Sequence, residues 1–349
     1  MFLGIPITVG VLSLFFFRGQ GVKRERNFYF FIIVLLSIIT GLRQISIFPD
    51  MSNYKSYFFT GEFDVAYMST ESVNIGYVWL NYIFHWTKSF QLFVFVVTVL
   101  ILFSYSRSIY FYSPMIVLSF FLFILTDYPQ SCFLLRQYLA MATILFSIPF
   151  IIDRQLVKYL VCIAIAYSFH TSALVFLPVY FLYKTNVTSL SKTRLYVFLG
   201  VVALLGGAFL MYTSSYLSST YSSYISEGGL GSYARLAMKG LLLFVYFYAL
   251  GQKVWENGIN QVVLLCMFMA VLVCYLGIGV FIFFRMRMYF SISEIIGIPL
   301  ILKYNKENKP AKKFAVNMMV IAYVVMLAVS YNTMIVENLP SYSFEFFWQ

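Results

Sequence analysis

Eleven apolar runs recur along this chain of 349 residues, and most of its basic residues stand between them. The runs fall at 2–17, 28–42, 90–105, 112–127, 134–152, 157–183, 195–212, 236–251, 261–284, 286–302 and 314–331. A helix that crosses a bilayer needs about 20 apolar residues, with a range near 17–25. Composition agrees, because 61% of the residues are hydrophobic and only 11% are charged. A soluble domain carries about 25% charged residues, so too little charge is present to cover a wetted surface. This excludes a soluble enzyme, a disordered tail, a zinc-finger array and a disulfide scaffold. The expected fold is all-α, a polytopic integral membrane protein with about 11–12 transmembrane helices plus an interfacial or re-entrant helix. We expect one transmembrane domain over 1–349, with Met1 to Phe17 as a retained span. Three of the four cysteines, Cys162, Cys266 and Cys274, lie inside apolar runs, so no disulfide framework is implied.

Orientation follows from charge, because Lys and Arg collect on the cytoplasmic side. Arg18, Lys23, Arg24 and Arg26 place the first loop inside and the N-terminus outside. Residues 43–89 then form one outer segment, in which Ile75 to Trp86 is an interfacial or re-entrant helix whose Asn81, Tyr and Trp residues suit the headgroup level. The stretch from Tyr159 to Tyr183 has basic residues at both ends, so it is expected to be a hairpin with its tip at His170. A second outer loop is expected at 213–235, and the C-terminus lies outside. With this topology 16 of the 24 basic residues face inward with four acids, while eight basic and eight acidic residues face outward. The net charge of +11 is therefore a topology signal, and no basic domain stands apart to bind nucleic acid.

Polar groups on the outer side are the functional candidates, because charge at membrane depth is costly. They are Arg43, Asp50, Tyr54, Glu71, Arg136, Gln137, His170, Arg235, Arg285, Arg287 and Tyr289. Five of the 11 arginines are among them. Topology alone would keep arginine inside, whereas guanidinium groups bind phosphate in a bidentate fashion. A lipid-linked phosphate or diphosphate fits such a set. His170 can take or relay a proton at neutral pH, and it stands beside Thr171 and Ser172. No HExxH, CxxC, close carboxylate pair, Walker loop or dinucleotide fingerprint is present, so no metal and no cofactor is expected. The substrate must then bring its own leaving group.

Five segments, taken in order, carry a family pattern. They are Gly41-Leu42-Arg43 with Asp50 and Tyr54, then Glu71 to Leu80, then Leu135-Arg136-Gln137-Tyr138-Leu139-Ala140, then Ser168-Phe169-His170-Thr171-Ser172-Ala173-Leu174, and the patch Arg285 to Phe290. This order resembles the EpsG/Wzy-like family of bacterial polysaccharide (O-antigen) polymerases. In that pattern Asp50 stands further from Arg43 than is usual. The resemblance implies a glycosyltransferase of lipopolysaccharide biosynthesis in the bacterial inner membrane, with its active site facing the periplasm. It would move a growing glycan from undecaprenyl diphosphate to the terminal hydroxyl of a new lipid-linked repeat unit. His170, Arg136, Glu71 and Asp50 would be catalytic, with His170 acting as general base or positioning the acceptor hydroxyl. Arg43, Tyr54, Gln137, Arg235, Arg285, Arg287 and Tyr289 would bind substrate. The partners implied are the undecaprenyl-diphosphate-linked oligosaccharide, membrane lipids, and a flippase and chain-length regulator of the same pathway. Two rivals use the same features. A lipid-linked oligosaccharide flippase also has many spans, and a membrane acyltransferase also carries a histidine in a span.

Overall fold

The computed structural model describes residues 22–43, 49–60, 74–183, 230–278 and 282–338. The runs 2–17 and 195–212, Glu71 and most of the loop 213–235 lie outside the described residues. Among the described residues the chain is helical and holds no strand. Five helices are long and apolar enough to cross a bilayer, which makes this an all-α, multi-pass membrane protein. The chain packs as two compact units, the first built mainly from 1–174 and the second mainly from 175–293 with 301–323.

The first unit contains α1 (Val22–Gly41), α2 (Pro49–Thr60), α3 (Ile75–His85), α4 (Phe90–Tyr112), α5 (Ile116–Thr126), α6 (Tyr128–Ser131), α7 (Leu135–Ile152) and α8 (Leu156–Phe169). At 1.5 Å per residue α4 is about 34 Å long, enough for a hydrocarbon core of about 30 Å. Its N-cap is Ser89, whose hydroxyl accepts from the Leu92 amide at 3.3 Å. It packs on α1 and α7, and α7 packs on α8. Gly41 makes the first of these contacts possible, since a Cβ there would overlap the Phe95 ring. Phe58 of α2 joins the elements at 5.5 Å from Phe90 and 5.6 Å from Phe93.

Two apolar runs differ from the expected spans. The run 112–127 yields α5 of only 11 residues, about 17 Å and too short to cross alone. The Ser113–Pro114 step stops the preceding helix, because proline disfavours helical backbone in the residue before it. The run 286–302 is broken into a 3-10 turn (Arg287–Phe290), α13 (Ile292–Ile295) and α14 (Gly297–Asn305). Every residue from 288 to 301 is buried, so this run is interior packing and offers no face to lipid.

The run 157–183 breaks at its histidine. Helix α8 ends at Phe169, His170 is extended (φ −157°, ψ 123°), and a 3-10 turn follows over Thr171–Phe176. Then comes the short α9 (Pro178–Leu182).

The second unit contains α9, α10 (Leu230–Leu250), α11 (Gly258–Leu276) and α12 (Ile282–Met286). The N-terminal part of α15 (Pro310–Asn338) also falls within it. A 3-10 turn at Gly251–Trp255 joins α10 to α11 and starts at Gly251 with φ 56°, a left-handed backbone that glycine adopts without strain. One end of the unit is a polar cap. Asn260 Nδ2 donates to Lys253 O and to Tyr304 Oη, both at 3.0 Å, and Asn308 Nδ2 donates to Ala249 O at 3.1 Å. Lys253 pairs with Glu307 at the same end. The expected inward basic loop, Lys303 to Lys313, lies here. On α15 the apolar residues Phe314, Met318, Ile321, Val325 and Val329 are exposed. Their spacing is that of one helix face, as for a surface in contact with lipid.

Candidate functional site

Neighbouring ends of α2, α3, α7 and α8 bring several of the expected site residues together in the first unit. Arg136 is the second residue of α7. Its guanidinium carbon sits 5.6 Å from the Tyr54 ring centre on α2 and 5.9 Å from the Tyr77 ring centre on α3. The two tyrosine rings are 5.4 Å apart. Cation–π contact of this kind is worth roughly 0.5–2 kcal/mol and helps to hold the guanidinium in one orientation. Asp50, in the first turn of α2, lies close enough for its charge to act on Tyr54. Burial pushes the Tyr54 phenol above its usual range, while the Arg136 guanidinium, which donates to it, pulls the other way. Tyr77 is shifted upward chiefly by burial, with the Asn81 side chain pulling the other way.

His170 belongs to the same end, because α8 packs along α7 and against α3. Three contacts fix this corner. Asn74 stands at the N-cap of α3 yet makes no side-chain cap bond. Its Nδ2 instead donates to Tyr167 O at 3.1 Å. That carbonyl is one of the last four of α8, which lack partners inside their own helix. Beside it, a Cβ on Gly76 would overlap Ser168 Oγ and come within 2.9 Å of the Ser168 carbonyl carbon and oxygen. Past the helix end, Ser172 Oγ lies 2.6 Å from His170 Nδ1, and the Ser172 amide donates to the same nitrogen at 3.4 Å.

Other expected residues have different surroundings. Arg43 is fully buried. Its guanidinium donates to Thr40 O and Cys132 O and reaches Thr98 Oγ1 at 3.4 Å. This arginine ties the end of α1 to α4 and to the turn before α7, and it has no surface open to a ligand. Gln137 and Tyr289 are also buried, at 3% and 4% exposure, so neither offers a face to substrate here. Asn81 was placed at the headgroup level by sequence, but it is enclosed, and its Nδ2 donates to Tyr77 O at 2.7 Å. His85 Nδ1 contacts Phe58 O at 2.9 Å and links α3 to α2. Arg235, Arg285 and Arg287 lie in the second unit. Arg285 is exposed, and Arg235 and Arg287 are close enough to repel each other.

Sequence reasoning missed a buried acid. Asp127, which closes the run 112–127, is 1% exposed. Its carboxylate accepts from Tyr138 Oη and Thr126 Oγ1, both at 3.0 Å. Thr40 Oγ1 donates to Tyr128 Oη at 2.8 Å nearby. With Arg43, which donates to Cys132 O, these groups form a polar layer around the turn before α7. The available signal was an acid placed at the end of an apolar run and two residues before Pro129.

A positive side chain held at a helix start, a carboxylate, phenols and a half-exposed imidazole can bind an anion and manage one proton. A family model described as the EpsG family matches residues 26–346. No curated protein and no solved structure matches the chain.

Proposed function

The chain belongs to the EpsG family, and from that premise we propose that it polymerises lipid-linked glycan repeat units. Family membership supports a polysaccharide-polymerase role in general terms. The finer reading is ours. The growing chain leaves undecaprenyl diphosphate and is transferred to the terminal hydroxyl of a new lipid-linked unit. The reaction takes place on the periplasmic face of the inner membrane, served by outer segments 43–89 and 213–235. A flippase supplies the units, and a chain-length regulator sets how many are joined.

The observation that carries this reading is Arg136 resting on Tyr54 and Tyr77 near Asp50, with α8, which ends before His170, packed along α7. In the transfer, the acceptor O–H bond and the C1–O bond to diphosphate break, and a new C1–O bond forms. Negative charge builds on the diphosphate oxygen. A guanidinium already held in place stabilises that charge without reorganising, and losing one such donor typically costs about 10²–10³-fold in rate. Asp50 and Glu71 are the carboxylates available to the acceptor proton.

The test is the surface polysaccharide of cells lacking this protein. Polymerase loss leaves one repeat unit on the lipopolysaccharide core, and Arg136→Ala should reproduce that phenotype. A strain carrying no repeat unit at all would instead assign the protein to flipping.

A further inference from the structure

His170 holds two jobs that constrain each other. It is the residue before the 3-10 turn Thr171–Phe176, with extended backbone, and it occupies the N-cap position of that turn. The Ser172 amide points at Nδ1 at 3.4 Å, and Ser172 Oγ lies 2.6 Å from the same atom. An amide can only donate, so Nδ1 must present its lone pair. The imidazole therefore does what the side-chain oxygen of a Ser, Asp or Asn cap does elsewhere. The hydrogen bond at one ring nitrogen decides where the proton of a neutral imidazole sits. With Nδ1 accepting, the proton is on Nε2.

Resting on the glycan-transfer reading above, we propose that His170 serves the reaction as a hydrogen-bond donor. Its Nε2–H binds the departing diphosphate beside Arg136, and the acceptor proton goes to a carboxylate. The step balances as follows. The acceptor oxygen loses its proton to a carboxylate, of which Asp50 stands in the described cluster, and forms the new bond to C1. The C1–O bond to diphosphate breaks, and its electron pair stays on the diphosphate oxygen. Arg136 and His170 Nε2–H hold that oxygen. The proton on the carboxylate is then lost to water.

Three features favour donor over base. First, Nε2 already carries the proton in the neutral ring, so it has no lone pair with which to accept another. Second, Nδ1 is already engaged by the Ser172 amide and hydroxyl. Third, the neighbouring cation is an arginine at the same end of α7, which suits an anion more than a proton-accepting ring. Among the described residues, the titratable groups at this end of the packed elements include Arg136 on α7, Tyr77 on α3, Asp50, Tyr54 and Tyr57 on α2, and Tyr167 on α8 itself. His85, the second histidine, is at the far end of α3.

The two amide replacements of histidine separate the ring nitrogens. The side-chain carbonyl of asparagine reaches the place of Nδ1 and can keep the cap. The side-chain amide of glutamine reaches the place of Nε2 and can keep the donor. Purified protein in nanodiscs is given synthetic lipid-diphosphate-linked repeat units, and turnover is measured with His170→Asn, His170→Gln and, as a control, His85→Gln. We expect His170→Asn to stay folded and monodisperse but to lose about 100-fold or more in kcat, within the span typical of a single preorganised donor. His170→Gln should stay within about tenfold of wild type. Wild-type kcat should not fall as pH drops through the imidazole range near about 6.5, because an imidazolium still donates from Nε2. A wild-type kcat that falls tenfold per pH unit below that range, with the limb absent in His170→Gln and present in His85→Gln, would overturn the proposal in favour of a base. So would an active His170→Asn beside an inactive but folded His170→Gln. If wild-type protein extends no chain at all, the functional reading itself fails and takes this proposal with it.

Discussion

Arg43 and Arg136 carry the same guanidinium and differ in what surrounds it. Arg43 is enclosed, and its N–H groups go to Thr40 O, Cys132 O and Thr98 Oγ1. Arg136 rests on two tyrosine faces at a helix start. Arg43→Met should therefore cost about 3 kcal/mol of stability, because two carbonyls lose a charged donor. A lower unfolding temperature in detergent checks this. Arg136→Lys should leave that temperature nearly unchanged and reduce chain extension by about tenfold or more, since lysine keeps the charge but loses the planar fork. A long-chain product from Arg136→Lys equal to wild type would remove the bidentate argument. In sequence both arginines read as outer residues at the edge of a span. What separates them is the close packing of Gly41 on Phe95 and the turn around Cys132. Both are contacts across many residues that no local pattern reports.

Helix α3 carries the site at the scale of elements. Its outward face, with Ile75, Trp79, Tyr82, Ile83 and Trp86, is exposed. Its opposite face holds Tyr77 against Arg136, and Asn74 and Gly76 lock it to the last turn of α8. Gly76→Ala should cost about 1–3 kcal/mol through overpacking and should lower turnover more than Ile83→Ala does. Comparing thermal melts with chain-extension rates for the two variants checks it. Equal behaviour would mean that the α3–α8 contact does not matter to the site. The exposed tryptophans should also be quenched by brominated lipid in the outer leaflet, as expected for an aromatic belt. A short helix was legible here in sequence, because the run is brief, apolar and rich in aromatic residues. The burial of Asn81 was not legible, since a polar residue in such a run reads equally well as wetted. The break in 286–302 was also hidden. Its composition is that of a span, and its interior position depends on which helices pack around it.

At the scale of the molecule, α15 carries an exposed apolar face, and Lys253, Glu307 and Asn308 build a polar cap. The charge count predicts that Lys303 to Lys313 face the cytoplasm and both termini face the periplasm. Cysteine labelling in intact cells should modify a residue placed near 345 and spare one placed near 309, and the reverse pattern would invert the topology. Fold class was legible because apolar runs and basic loops are local signals. The gathering of Asp50, Tyr54, Arg136 and His170 was legible only as a shared outer side, since their approach depends on α2, α3, α7 and α8 meeting. The most direct measurement is chain growth by the purified protein in nanodiscs supplied only with a synthetic repeat unit on undecaprenyl diphosphate. The account predicts a ladder of products from wild type, free undecaprenyl diphosphate released in step with each added unit, and neither product from Arg136→Ala. Wild-type protein that moves the lipid across the bilayer but leaves every glycan one unit long would contradict it.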